Sequence, residues 1–137
     1  MGDFDLFIAK NGVWSMGKTA YRVAIASTDN RYVDQHFGRA ESFLIVDVYE
    51  KGYYREIEQR FVEPVCSGGH HDQNNLRKGV DAVGDCNFVL AAKIGPGAVA
   101  ELEERGIAAF EMPGSVHDSV KKLDSYLLLL QEMNGAG

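Results

Sequence analysis

Between Cys66 and His71 the chain places a thiol, two glycines (Gly68, Gly69) and two adjacent imidazoles (His70, His71), with Asp72 directly after them. Thiolate and imidazole together suit zinc, iron, copper or an iron–sulfur centre, not magnesium or calcium. A simple zinc site needs four closed ligands, and a cysteine followed after three residues by a histidine pair matches neither finger nor ribbon spacing. The chain has only two cysteines, so an iron–sulfur cluster held by four of its own thiolates is excluded. A metal species that brings most of its own ligands and takes one or two protein donors fits. Plainer readings use the same residues: glycines that make a turn, Asp72 as a helix cap, and histidines that hydrogen-bond within a loop.

A second stretch, Lys93-Ile94-Gly95-Pro96-Gly97-Ala98, ends at another helix start, as the 66–72 loop does. Helix N-termini offer unpaired N–H groups and the positive end of the macrodipole, so two of them facing one cleft predict an anionic ligand. Residues 95–100 (GPGAVA) also match a G-x-G-x-x-A dinucleotide fingerprint, with Glu111 ending the next strand. Against it, the chain has one βαβ unit and not the paired halves of a dinucleotide fold.

The 137 residues suffice for one hydrophobic core, and 25% charged and 45% apolar content is ordinary for a globular domain. Twenty acids against fourteen bases give a net charge of -6, with no basic run to track a phosphate backbone, so nucleic acid is not an expected partner. The apolar runs 88–92 and 126–130 fall far short of a membrane span. Asp3 and Asp5 stand where a signal peptide would carry positive charge. A cytoplasmic, reducing setting is expected, in which the cysteines are thiols or metal ligands.

From Tyr21 the elements follow in the order β-β-β-α-β-α-β-α. RVAIAST (22–28) is a short apolar strand. SFLIVDVYE and YYREIEQRFV flank a turn at Glu50-Lys51-Gly52. In the second of these, Tyr53, Arg55, Ile57, Gln59 and Phe61 are expected on one face of an edge or near-edge strand, with Glu56, Glu58 and Arg60 on the other. Leu76, Val80 and Val83 form a helical stripe. CNFVLAAKI (86–94) reads as a strand buried on both faces. Pro96 and Gly106 bound the next helix, and IAAFEM (107–112) is a parallel strand completing a right-handed βαβ unit. Ser115 and Asp118 start a closing helix lined by Val116, Val120, Leu123, Leu127 and Leu130. Residues 1–20 form an extension or an extra hairpin around Asn11-Gly12, and 21–134 a single domain.

With the first strand pointing up, the hairpin sends the second down and the third up. If the two late strands run parallel to the first, the loops 28–40, 62–72, 93–97 and 112–115 emerge at one rim. That rim gathers His36, Cys66, His70, His71, Lys93, Gly95 and Gly97 at the carboxyl edge of the parallel strands, where open α/β sheets place ligands. Cys86 opens its strand at the opposite edge, about 20 Å away along the strand, and a disulfide with Cys66 is therefore not expected.

The strand order resembles that of ribonuclease H, whose nuclease gathers carboxylates on the first and fourth strands to hold two metals. Here the first strand has no acid and the fourth ends near Lys93, so the nuclease reading fails. At VAIASTDNRYVDQHFGRAESFLIVDV (23–48) the sequence resembles the dinitrogenase iron–molybdenum cofactor biosynthesis family, which includes NifX, NafY and the C-terminal domain of NifB. The motif lies in Asp34, Gln35, His36, Phe37, Gly38, Ala40 and Phe43, with similar segments at CSGGHHD, DCNFVLAAKIGPGA and RGIAAFEM. The resemblance covers about residues 21–112. It implies a ribonuclease-H-like three-layer α/β fold with a mixed five-stranded sheet and no nuclease site. It also implies a non-enzymatic carrier or scaffold that binds iron–molybdenum cofactor or an iron–sulfur precursor during nitrogenase maturation, exchanging it with cluster donor and acceptor proteins. His36, with Gly38 beside it, is the cluster-contacting residue that the motif implies first. The 137 residues are not expected to include a radical-chemistry domain of the kind fused to this fold in NifB, and stand-alone members also occur outside nitrogen fixers.

The leading expectation is thus a monomeric or weakly dimeric metal-cluster binding protein with His36 and Cys66 as donors. His70 and His71 are further ligands or hydrogen-bond donors, and the amides of residues 95–97 meet the anion. Its competitors are a nucleotide-binding module or enzyme built on the Gly95-Pro96-Gly97 loop, and a protein-interaction adaptor whose histidines are structural.

Overall fold

A computed structural model describes the backbone of residues 6–9, 12–15, 19–62 and 72–135, with side chains over 19–62 and 76–133. In chain order the elements are β1 (Leu6–Ala9), β2 (Gly12–Ser15), β3 (Tyr21–Ala26), β4 (Tyr32–Val33), β5 (Ser42–Val48), β6 (Tyr54–Phe61) and α1 (Asp72–Ala82). They continue with β7 (Phe88–Ala91), α2 (Pro96–Glu104), β8 (Ala108–Glu111), β9 (Gly114–Ser115) and α3 (Val116–Gly135). The strands β1 and β2 pair as an antiparallel hairpin, Ala9 opposite Gly12, the outcome that the Asn11-Gly12 signal suggested.

The main sheet has the order β6-β5-β3-β7-β8. β3 runs antiparallel to β5 and parallel to β7, β5 antiparallel to β6, and β7 parallel to β8. This is the mixed five-stranded sheet expected from the sequence, with both late strands parallel to the first.

Helices cover both faces. α1 and α2 bury Val80, Ala98 and Leu102 against Ala24, Ala26, Phe43, Ile45, Val89 and Ala91. On the other face α3 buries Val116, Val120 and Leu123 against Val23, Ile25, Leu44, Val46 and Leu90. Alternation along β5 sends Phe43 and Ile45 to one layer and Leu44 and Val46 to the other, and every residue of the strand is buried. Full burial of each such side chain contributes about 1.5–3 kcal/mol, so the central strands form the most stable part of the domain. No helix among the described residues is long and apolar enough to cross a membrane.

One expectation fails at β6. It is the edge strand, as predicted, but its faces do not alternate through its whole length. The pairing slips between Ile45 and Val46, whose partners are Glu58 and Glu56, so Ile57 is an extra, bulged residue. Tyr54 packs towards α3, as alternation predicts, but Ile57 and Arg60, three positions apart and expected on opposite faces, both lie towards α1 and α2. Arg60 lies opposite Phe43 and donates to the Ala82 carbonyl oxygen at 2.7 Å. A bulge with charged neighbours on an edge strand also hinders pairing with another chain.

Candidate functional site

The loop between β3 and β5 is shaped by its own side chains. Asp29 Oδ1 accepts from the backbone N–H groups of Arg31 (2.8 Å) and Tyr32 (3.0 Å), which holds its carboxyl below the usual range. Asn30 adopts a left-handed conformation (φ 63) and its N–H donates to Ser27 Oγ. Asp34 accepts from both the N–H (2.9 Å) and the hydroxyl (2.6 Å) of Thr28. These are the local turns that Asx and serine side chains favour.

The loop then alternates inward and outward. Gln35 is buried, and its Oε1 accepts from the Glu41 N–H at 2.8 Å. Phe37, 2% exposed, inserts into the α1/α2 layer with its ring centroid 5.5 Å from that of Phe43. Gly79 of α1 faces the same ring; a Cβ there would lie 3.3 Å from it. Between these anchors His36 and Gly38 are exposed. The QHFG motif thus separates into two residues that fix the loop and two that it displays.

His36 forms an isolated parallel bridge with Lys93 just beyond the end of β7. The Ala92 N–H donates to the Gln35 carbonyl, and the Phe37 N–H to that of Lys93, both at 2.9 Å. Lys93 is also exposed. The next residue, Ile94, donates its N–H to Glu111 Oε2 at 2.9 Å, so the carboxylate ending β8 braces the loop into α2. The sequence places Glu111 only at the end of a strand, in the dinucleotide fingerprint, and does not reveal this brace.

At the start of α2, Gly95 is the N-cap without a side-chain cap, Pro96 follows, and the first turn has no acid. The α3 start differs: Ser115 Oγ accepts from the Asp118 N–H at 3.0 Å, and Asp118 lies in the first turn. One helix start at this edge is capped from within, and the other presents uncapped amides to any anion that reaches it. Gly38, Gly95 and Gly97 have no positive φ, and among the described residues a Cβ at any of them would meet nothing within 4 Å.

The rim predicted from topology is therefore assembled for the loops 28–40, 93–97 and 112–115. β4 pairs with β9, and the Val116 N–H donates to the Arg31 carbonyl. The fourth loop joins Val62, whose N–H donates to Glu41, to Asp72 at the start of α1. Its residues Cys66, Gly68, Gly69, His70 and His71 lie outside the described residues. Among the described residues no three His, Cys, Asp or Glu side chains converge as a metal site.

Cys86 sits away from this rim, before β7, as expected. It is a free thiol, 5% exposed, and burial beside the Asp85 carboxylate pushes its pKa up to about 12. A protonated buried thiol is a poor metal donor and nucleophile. A pocket of about 840 Å³ lies at that same end, lined by Tyr21, Tyr49, Phe88, Asp124 and Leu127 among others, with neither histidine nor cysteine. This concavity does not coincide with the rim that displays His36.

The family model described as dinitrogenase iron-molybdenum cofactor matches residues 19–126. The chain is similar to the FeMo cofactor biosynthesis protein NifB of Frankia alni, 32% identical over 109 residues, covering 77% of this chain and 21% of that protein. It is also similar to the protein NifX of Rhodobacter capsulatus, 32% identical over 94 residues, covering 66% of this chain and 58% of that one. It thus spans about a fifth of this NifB and somewhat over half of this NifX. The crystal structure of PH0822 superposes with a TM-score of 0.57 at 27% identity, over 74% of this chain and 88% of that one.

Proposed function

Because the chain belongs to the dinitrogenase iron-molybdenum cofactor family, we propose that it takes part in iron–molybdenum cofactor biosynthesis as a non-enzymatic carrier. Its cargo is the cofactor or an iron–sulfur precursor, received from a donor protein and released to an acceptor. Residues 21–134 act as one cluster-binding unit on a ribonuclease-H-like three-layer scaffold without a nuclease site, and residues 1–20 are an appendage to it.

The observation that carries this reading is the bridge between His36 and Lys93, which sets an exposed imidazole beside the uncapped start of α2. Such a site suits a cargo that is both metal-containing and anionic. The imidazole offers one nitrogen to a metal atom. The amides at Gly95 and Gly97 favour the cargo's negative charge. Among the described residues nothing requires glycine at positions 38, 95 or 97, whereas a bulky cargo lying against the backbone would. Cys66 completes the donor pair, with His70 and His71 as further ligands or hydrogen-bond donors from the adjoining loop. The nucleotide-binding alternative gains no support, since Glu111, the acid of its fingerprint, accepts from the Ile94 N–H.

Anaerobic incubation with an iron–sulfur cluster or cofactor precursor, followed by absorbance and EPR, tests the reading. Wild type should take up the cluster, and His36→Ala and Cys66→Ala should each bind it more weakly. No uptake by wild type, or equal binding by both variants, would refute it.

A further inference from the structure

Two cations flank His36. The Arg39 N–H donates to the His36 carbonyl at 3.0 Å, closing a 3-10 turn over Phe37–Arg39. Residues three apart in such a turn eclipse one another, which brings the Arg39 side chain to the His36 side. Lys93 is the bridge partner of His36, and paired residues of neighbouring strands project to the same face. Arg39, His36 and Lys93 are all exposed.

Three arginines elsewhere are paired with carboxylates, whereas among the described residues Arg31 and Arg77 have no carboxylate partner. Arg22 meets Asp47 at 2.7 Å, Arg60 meets Asp85 at 2.7 Å, and Arg105 meets Asp81 at 2.8 Å. Arg39 and Lys93 have no such partner among the described residues, although Glu41 stands two positions after Arg39 and the chain carries twenty acids. Nearby carboxylates are committed to the backbone: Asp29 to Arg31 and Tyr32, Asp34 to Thr28, Glu111 to Ile94. Among the described residues, two cations thus stand without a carboxylate partner on either side of the displayed imidazole.

We propose that Arg39 and Lys93 read the outer ligands of the cluster docked at His36. On this view the site favours clusters whose periphery carries carboxylates or comparable negative charge over the same metal–sulfur core with uncharged outer ligands. The guanidinium fork of Arg39 matches a carboxylate bidentately, and Lys93 supplies a point charge. Arg39 is a specificity residue beside the metal donor and not itself a donor. The inference rests on the rim being the cluster site.

Two synthetic [4Fe–4S] probes with the same core test it, one with thiolate outer ligands ending in carboxylate, the other in hydroxyl. Anaerobic titrations would compare wild type, Arg39→Gln, Arg39→Lys and Lys93→Gln at low and high salt, with circular dichroism as a check on folding. Wild type should prefer the carboxylate-ended probe. Arg39→Gln should bind it about tenfold more weakly, roughly the worth of one charge-assisted hydrogen bond, while its binding of the hydroxyl-ended probe stays unchanged. Lys93→Gln should show a smaller loss of the same selectivity, and Arg39→Lys should recover part of it. If Arg39→Gln binds both probes as wild type does, the inference is overturned while the cluster site stands. If wild type binds neither probe, both are overturned together.

Discussion

His36 and Lys93 are partners in a parallel bridge although 57 positions separate them in sequence. The contact exists because Gln35 and Phe37 on either side of His36 are buried, so the residue between them is turned outward where β7 ends. Presentation of the imidazole therefore depends on a side chain that never touches cargo.

Phe37→Ala should test that dependence. Removing a buried phenylalanine costs about 3–5 kcal/mol, read as a lower denaturation midpoint in urea. Cluster uptake should fall more than in Phe37→Leu, which keeps most of the volume.

The exposed glycines should behave oppositely. Gly97→Ala and Gly38→Ala meet no obstacle among the described residues and no positive φ. Gly97 lies in the first turn of α2, so alanine there should leave stability unchanged or raise it by up to about 1 kcal/mol. Gly97→Val should fold but impair cluster binding, measured by thermal melts alongside uptake.

At the opposite edge, Asp85 is shared by Arg60 and Arg22. The hydrogen bond from Arg60, then that from Arg22, holds its carboxyl well below the usual range. A depressed folded value means this contribution is fully present above the unfolded carboxyl value of about 3.9 and is lost as pH falls below it. Asp85→Asn should lower stability at neutral pH and flatten its decline between about pH 4 and 2, followed by denaturant midpoints across that window. The pair is partly exposed, so the effect should be small and salt-sensitive.

Cys86 should resist alkylation in the folded protein. With its pKa pushed up to about 12 and 5% exposure, it should gain no iodoacetamide label at neutral pH until denaturant is added. Peptide mass mapping would show this, and rapid native labelling at Cys86 would contradict it.

The sequence made the rim legible because hairpin and βαβ connections leave little freedom in strand direction, and the continuous apolar run at 88–91 marked a doubly buried strand. Ser115 as cap of α3, and Pro96 and Gly106 as bounds of α2, followed from local chemistry alone. The bulge at Ile57 was hidden, since period-two reasoning assumes an unbroken ladder and no residue type announces the slip. Arg39 does not stand out because a three-residue 3-10 turn is too short to show a periodic pattern, and the brace from Glu111 is hidden because its partner is a backbone N–H seventeen residues away.

The central claim is that His36 contacts the metal of a bound cluster. The most direct measurement is pulsed EPR on protein labelled with 15N-histidine and loaded anaerobically with a paramagnetic cluster. The chain has four histidines, His36, His70, His71 and His117. The account predicts hyperfine coupling to an imidazole 15N in the triple variant His70→Ala/His71→Ala/His117→Ala, which keeps His36 alone, and its loss when His36→Ala is added. Absence of coupling from the cluster-loaded triple variant, or coupling that survives the added His36→Ala, would contradict it.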